Sequence, residues 1–407
     1  MMGKSERKRK KDRALLVQTL AVTGLVGSTW RLPGLIKTMG QNEDTLLPDT
    51  ALPPVSVIVP ARNEAANIER CARSLLAQDY PDFELIVVND GSTDATPAIL
   101  QRIAAEDDRL KVVTLDGELP PGWAGKPHAM QMGYETARPD SRYILFSDAD
   151  TFHFPVALRT AVSAAVRGHS DLLSAMTSLE LKTFWENVLM PLAIMGILVQ
   201  YPPDKVNRPD SKVALANGQF LLLKREAFEA VGGYGGKLKG SLLDDRDMAL
   251  AIKANGGKLR LINGQKLASV RMYTGLRDVW QGFRKNAFVG SRAPYLSVPL
   301  FVLASVWLGV LPFLQVPYAL WRWLGGDKPA RRLLLHSLLQ VGLIVTARRR
   351  FDRRLDVPAL YAWASPLSNL IFSGILVDSM VRSLTGQGVS WKGRNYAGAA
   401  KTQQLIK

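Results

Sequence analysis

Two aspartates spaced one apart, Asp148 and Asp150, close the stretch Tyr143-Ile-Leu-Phe-Ser-Asp-Ala-Asp150. The aromatic and branched residues before them read as a buried parallel strand. The carboxyl end of such a strand opens onto the ligand crevice of an α/β sheet. On an extended chain, side chains two apart share a side, so both carboxylates face that crevice. Two hard oxygen ligands there suit Mg²⁺ or Mn²⁺ shared with a diphosphate. The alternative is a strand end with two solvated aspartates. Three more turn motifs carry polar chemistry: Pro60-Ala-Arg-Asn-Glu64, Asp90-Gly-Ser-Thr-Asp94, and Leu243-Asp-Asp-Arg-Asp-Met248. Each falls at the end of an expected strand or the start of an expected helix.

The elements that must position these groups alternate between strand and helix. Val55–Val59 reads as a strand ended by Pro60. Asn63 is expected to cap the following helix, with Glu64 in its first turn. Ile68, Cys71, Ala72, Leu75 and Leu76 recur at helical spacing. Strands are expected at 83–88, 111–115, 143–148, 171–176, 220–223 and 258–262, and helices at 155–167, 225–231 and 243–253. This alternation predicts a parallel sheet with right-handed crossovers. Residues 184–200 form a nearly all-round apolar helix, broken by Pro191. It reads equally as core or as an interfacial helix, and we place it at a membrane surface.

Composition bounds the partners. The formal net charge is +16, but its clusters, Lys4–Arg13 and Arg348–Arg354, flank apolar segments. Anionic lipid headgroups explain that placement more simply than nucleic acid does, and no zinc-finger or RNA-binding signature is present. The single cysteine, Cys71, excludes an intramolecular disulfide and a thiolate zinc cluster and reads as core. Residues 14–30 are apolar enough for an anchor or interfacial helix. Residues 40–54 read as a linker. After Tyr295 three apolar stretches, 295–321, 333–347 and 357–380, allow one to three membrane spans despite their prolines. The expected organisation is a basic N-terminus with anchor and linker (1–52), a catalytic domain (53–294), membrane segments (295–380) and a polar tail (381–407).

The order and spacing of the four motifs resemble family 2 glycosyltransferases of the GT-A fold over roughly residues 53–290. Leu119-Pro-Pro-Gly-Trp-Ala-Gly-Lys126, Trp280-Gln-Gly-Phe-Arg-Lys-Asn286 and Trp391-Lys-Gly-Arg394 with Tyr396 further resemble a membrane-associated branch that glycosylates carotenoids and related polyprenoid lipids. The fold so implied is an α/β, Rossmann-like GT-A domain with flanking membrane-associated helices.

The resemblance implies that Pro60, Ala61, Asn63 and Glu64 line the nucleotide pocket and that Asp90 accepts a hydrogen bond from the base. Asp90–Asp94 also reads as a plain turn and helix cap. Asp150, assisted by Asp148, would hold Mg²⁺ or Mn²⁺ and so offset diphosphate charge. Lys126, beside Gly125, would pair a phosphate or else be a solvated loop residue. Asp245, with Asp244 beside it, would be the general base toward the acceptor hydroxyl. Asp247 is the outside candidate, and helix-start acids favouring the macrodipole are the plain alternative. Gln281, Arg284 and Lys285 stand where processive members carry Gln-x-x-Arg-Trp. Lys285 in place of Trp argues against a chain-extending synthase, while the cations remain able to close over the diphosphate or to form an amphipathic interface helix. Gly218, Gln219 and Trp123 would border the acceptor, and His128 reads as structural.

The function so implied is inverting transfer of a hexose from a nucleotide-diphospho-sugar, UDP-glucose first, to a hydroxyl of a lipid such as a carotenoid. Another lipid (hopanoid, diacylglycerol, polyprenyl phosphate) or a polysaccharide is the runner-up, and a catalytically silent membrane scaffold the alternative of another class. Nucleotide sugars are cytoplasmic, so the catalytic domain is expected at the cytoplasmic face of the inner membrane. A spanning 14–30 segment conflicts with a basic N-terminus on that same side, so that segment is expected to lie in the interface or re-enter.

Overall fold

The computed structural model describes residues 4–32, 34, 46–291, 293–385, 389–391 and 394–396. Residues 40–45 of the expected linker and 397–407 of the tail lie outside them. The chain divides into two compact units.

The first unit, residues 36–180, 201–272 and 386–407, is built on an eight-stranded sheet. Its strands are β1 (Val55–Ala61), β2 (Phe83–Asn89), β3 (Leu110–Thr114), β4 (Tyr143–Phe146), β5 (Thr151–His153), β6 (Leu172–Leu179), β7 (Leu221–Lys224) and β8 (Leu259–Val270), in the order β3-β2-β1-β4-β7-β6-β8-β5. The expected all-parallel sheet is corrected to a mixed one. β3, β2, β1 and β4 run parallel, and β6 is parallel to β8. β7 is antiparallel to β4 and β6, and β5 to β8. β1, expected to end at Pro60, runs on to Ala61.

The helix Ile68–Leu76 buries the residues its periodicity marked, Ile68, Cys71, Ala72, Leu75 and Leu76. Cys71 is core as expected, and burial pushes its thiol pKa up. The expected cap is corrected: that helix starts after Asn67, with Glu69 rather than Glu64 in its first turn. Asn63 instead takes a left-handed backbone (φ 52°), which asparagine tolerates better than most residues. The helix Gly125–Thr136 escapes the sequence reading, because Gly125, Pro127 and Gly133 are poor helix formers. Gly133 is there for closeness: a Cβ would lie 2.5 Å from Ile58 Cγ2 of β1.

The second unit, residues 1–35, 181–200 and 273–385, is helical. Among the described residues three helices are long and apolar enough to cross a membrane: Pro294–Leu324, Ala330–Asp352 and Ala359–Thr385. Leu296, Leu300, Leu303, Leu314, Trp321 and Leu360 are exposed on them. The N-terminal helix, Lys4–Thr29, is longer than expected and meets this bundle partly through polar groups. Gln18 Nε2 donates to the Trp307 carbonyl (2.8 Å), and Thr19 Oγ1 bonds His336 and Gln340.

The helix Phe184–Gln200 runs unbroken through Pro191, against expectation. Proline has no N–H, so the Asn187 carbonyl loses its helical partner. The Arg348 guanidinium replaces it, donating to Asn187 O (3.1 Å) and Val188 O (3.0 Å), while its Nε binds the buried Asp352 (2.6 Å). Val188, Leu189 and Ala193 are buried among the other helices, and Phe184 and Val199 are exposed.

Candidate active site

The loops after β1 and β2 are one structure. Asn63 N–H donates to Ser92 Oγ (3.0 Å), and Asn63 Oδ1 accepts from Thr93 N–H (2.8 Å). Glu64 N–H donates to Thr96 Oγ1 (2.9 Å) and Ala65 N–H to Asp94 Oδ2 (3.0 Å). Arg62 Nη1 closes the far side on the Asp90 carbonyl (2.5 Å). Asp94 thereby caps the turn with two backbone N–H groups, while Asp90 is buried at the carboxyl end of β2. Pro60 and Ala61 are the last residues of β1. Two motifs far apart in sequence thus form one polar rim at the strand ends, where α/β sheets bind ligands.

Beside it, the Asp148–Asp150 geometry differs from the expected extended chain. β4 ends at Phe146, and Asp148–Thr151 is a turn closed by Thr151 N–H to Asp148 O (3.2 Å). Asp148 Oδ1 binds Lys126 Nζ at 2.6 Å. Asp150 Oδ1 is buried without a hydrogen-bond partner. Burial, with the charges of Asp148 and Glu64, raises the Asp150 pKa to about 7. An orphaned carboxylate oxygen under that electrostatic pressure fits a divalent cation, whose charge would restore the ionised form. Among the described residues no three His, Cys, Asp or Glu side chains form a cage. The fit is therefore to a cation held by one or two carboxylates and completed by substrate oxygens, the usual habit of Mg²⁺.

The third component comes from the helix Asp244–Ala254. Asp245 Oδ2 accepts from Gly218 N–H (3.0 Å) and Oδ1 from Arg246 N–H (2.7 Å). Burial and the neighbouring Asp244 raise the Asp245 pKa to about 6, against the opposing pull of Lys126. Asp244 lies 3.3 Å from Lys126 Nζ. Burial works against the Lys126 charge, but Asp148, Asp244 and Asp245 outweigh it and raise its pKa well above normal. Lys126 is thus neither a solvated loop residue nor isolated: it bridges the two acidic motifs. Gly218 makes this possible, since a Cβ there would sit 2.9 Å from Lys126 Nζ and 3.6 Å from both Asp148 Oδ2 and Asp245 Oδ2. Asp247 is buried and engaged by Ser241 Oγ (2.6 Å) and Arg246 (2.8 Å).

Gln219 is 4% exposed, and its amide oxygen is held by Thr177 and Asn217, so its side chain fixes the loop rather than lining an open pocket. Trp123 is half-buried, packs edge-on against His128 (5.1 Å) and lies under Lys239 Nζ (5.7 Å). Gln281, Arg284 and Lys285 belong to the helical unit, on the helix Leu276–Gly290, where Arg284 faces Asp378 at 3.8 Å. Ser147, His153 and Asn217, which support the carboxylates from beneath, gave no sequence signal. They are lone polar residues in apolar or loop segments, brought together only by strand pairing.

Comparison with known proteins fits this geometry. Residues 56–232 match the sequence model of Glycosyl transferase family 2, a segment that holds the first three motifs and stops short of Asp244. The chain is 24% identical over 353 residues to a 4,4'-diaponeurosporenoate glycosyltransferase of Staphylococcus aureus, covering 84% of this chain and 88% of that one. It resembles in fold a mannosyltransferase from Pyrobaculum calidifontis, PcManGT, solved with GDP-Man and Mn²⁺. The TM-score is 0.52 at 20% identity, over 91% of this chain and 99% of that one. Residues 56–232 are therefore a family 2 glycosyltransferase domain within a GT-A fold, and the chain is a glycosyltransferase.

Proposed function

We propose that this enzyme transfers a hexose, with inversion, from a nucleotide-diphospho-sugar such as UDP-glucose to a hydroxyl of an apolar lipid of the carotenoid class. The observation that carries the reading is the convergence of Lys126, Asp148, Asp244 and Asp245 around Gly218. Asp90 and the joined loops Pro60–Glu64 and Asp90–Asp94 receive the nucleotide. Lys126 moves from its aspartates to a donor phosphate. Asp150, with Asp148, would hold Mg²⁺ or Mn²⁺, which would supply charge stabilisation to a departing diphosphate. Asp245 takes the hydroxyl proton as the acceptor oxygen bonds the anomeric carbon from the face opposite the breaking bond to the diphosphate oxygen. Asp244 keeps the Asp245 pKa raised, which matches a base to neutral pH. Gly218 and Trp123 belong to the acceptor side, with Gln219 bracing the loop that carries Gly218.

The lipid acceptor is supported by the three apolar helices and by the relative's name. An acceptor dissolved in a bilayer must reach a water-borne donor, and a chain with both a spanning-length bundle and an α/β unit suits that task. The catalytic unit then faces the cytoplasm at the cell membrane, where nucleotide sugars are. The relative's name denotes a carboxylate acceptor. Here the paired acids favour a hydroxyl, because a carboxylate needs no base and would be repelled by them.

The test is nucleotide release by the full chain with UDP-glucose, Mn²⁺ or Mg²⁺, and an extract of hydroxylated carotenoids, beside Asp150→Ala and Asp245→Asn. Metal-dependent release with a glycosylated lipid, lost in both variants, supports the reading. Transfer to carboxylated but not hydroxylated carotenoids overturns the hydroxyl assignment. No turnover with any of several nucleotide sugars overturns the donor assignment.

A further inference from the structure

We propose that His153 is a positioning residue for the transfer step, acting through Ser147 and the 217–219 loop to hold Asp245 in place; this rests on Asp245 being the base. His153, on β5, is 1% exposed, and its ring lies 5.6 Å from that of Phe220. Its Nε2 is 2.9 Å from Ser147 Oγ, which is also 2.9 Å from the Gln219 carbonyl. A serine hydroxyl has one proton, and a carbonyl can only accept. Ser147 therefore donates to Gln219, and His153 Nε2–H donates to Ser147. The tautomer follows: Nδ1 carries the lone pair, and it is the ring atom left buried without a partner. Burial depresses the His153 pKa to about 3, so the ring stays neutral at any working pH and moves no proton itself.

What this chain of bonds fixes is the 217–219 loop. Asn217 N–H donates to Ser174 Oγ (2.8 Å) and Asn217 Nδ2 to the Ala175 carbonyl (3.1 Å), both on β6. Between those anchors and Ser147, Gly218 presents its N–H to Asp245 Oδ2 at 3.0 Å. Ser147 directly precedes Asp148, so its hydroxyl ties the backbone beside that carboxylate to the loop that contacts the base. The Gly218 N–H favours ionised Asp245 and lowers its pKa. If the loop shifts, that bond weakens and the Asp245 pKa rises.

The experiment compares His153→Phe, which keeps the ring but removes the donor, Ser147→Ala, and His153→Gln, which restores a donor. Loss of positioning is expected to lower kcat about ten- to a hundredfold, to leave donor KM within about twofold, and to move the acid limb of kcat/KM to higher pH. His153→Gln recovers part of kcat, and the double variant His153→Phe with Ser147→Ala is no worse than Ser147→Ala alone. A wild-type kcat or an unmoved acid limb in both His153→Phe and Ser147→Ala overturns the proposal. Should His153→Phe not fold, Ser147→Ala decides by the same readouts. An active Asp245→Asn sinks the base reading itself, whereas an inactive Asp245→Asn with an unmoved limb in the positioning variants sinks only the role of His153.

Discussion

If Asp245 is the base, the rate must follow its ionisation. Burial and Asp244 place that pKa at about 6, and the base form exists above it. From about pH 5 to about pH 7 the ionised share climbs from roughly one in eleven to roughly ten in eleven, so kcat/KM climbs about tenfold and then levels. Asp150 complicates the profile, because its own pKa is raised to about 7 and protons compete there with the cation. The two are separable: raising Mn²⁺ tenfold moves the metal-dependent limb about one pH unit lower, and the Asp245 limb stays. The assay is UDP release at saturating Mn²⁺ across that range. In parallel, Asp245→Asn keeps an oxygen for the Gly218 N–H but cannot take a proton, and is expected to lose about 10²- to 10⁴-fold in kcat with unchanged binding of UDP and Mn²⁺. A profile flat between those pH values at saturating metal, or an Asp245→Asn variant within tenfold of wild type, refutes the reasoning.

Asp150→Asn is expected to weaken Mn²⁺-dependent UDP binding at least about tenfold, measured by calorimetry; in the wild type that binding tightens as pH rises through about 7. Gly218→Ala puts a methyl 2.9 Å from Lys126 Nζ, pushing the lysine off Asp148. An activity loss of about tenfold or more with a melting temperature within a few degrees is expected. Arg348→Leu strands Asp352 and the Asn187 carbonyl in the helical unit and is expected to cost about 3–5 kcal/mol. That appears as a lower melting temperature in detergent, partly recovered when Asp352 is also made Leu.

The sequence by itself determined the alternation of elements, the core stripe Ile68–Leu76, the three apolar helices and the family, because those rest on local periodicity and on motifs whose residues are contiguous. It also marked Asp148, Asp150, Asp244 and Asp245. It misjudged what depends on partners distant in the chain. Pro191 breaks a helix only if nothing replaces its missing hydrogen bond, and Arg348 does so from 157 residues later. Asn63 caps no helix because the β2 loop claims its side chain. The direction of β5 and β7 belongs to their pairing, β5 with β8 and β7 with β4 and β6, and not to their own residues. Tertiary structure alone decided the site's working detail. Lys126 bridges Asp148 and Asp244, Gly218 leaves room for it, and Ser147 and His153 brace the loop beneath Asp245. Hydrogen bonds and charges act over a few ångströms, and only the folded sheet brings residues a hundred positions apart within that reach.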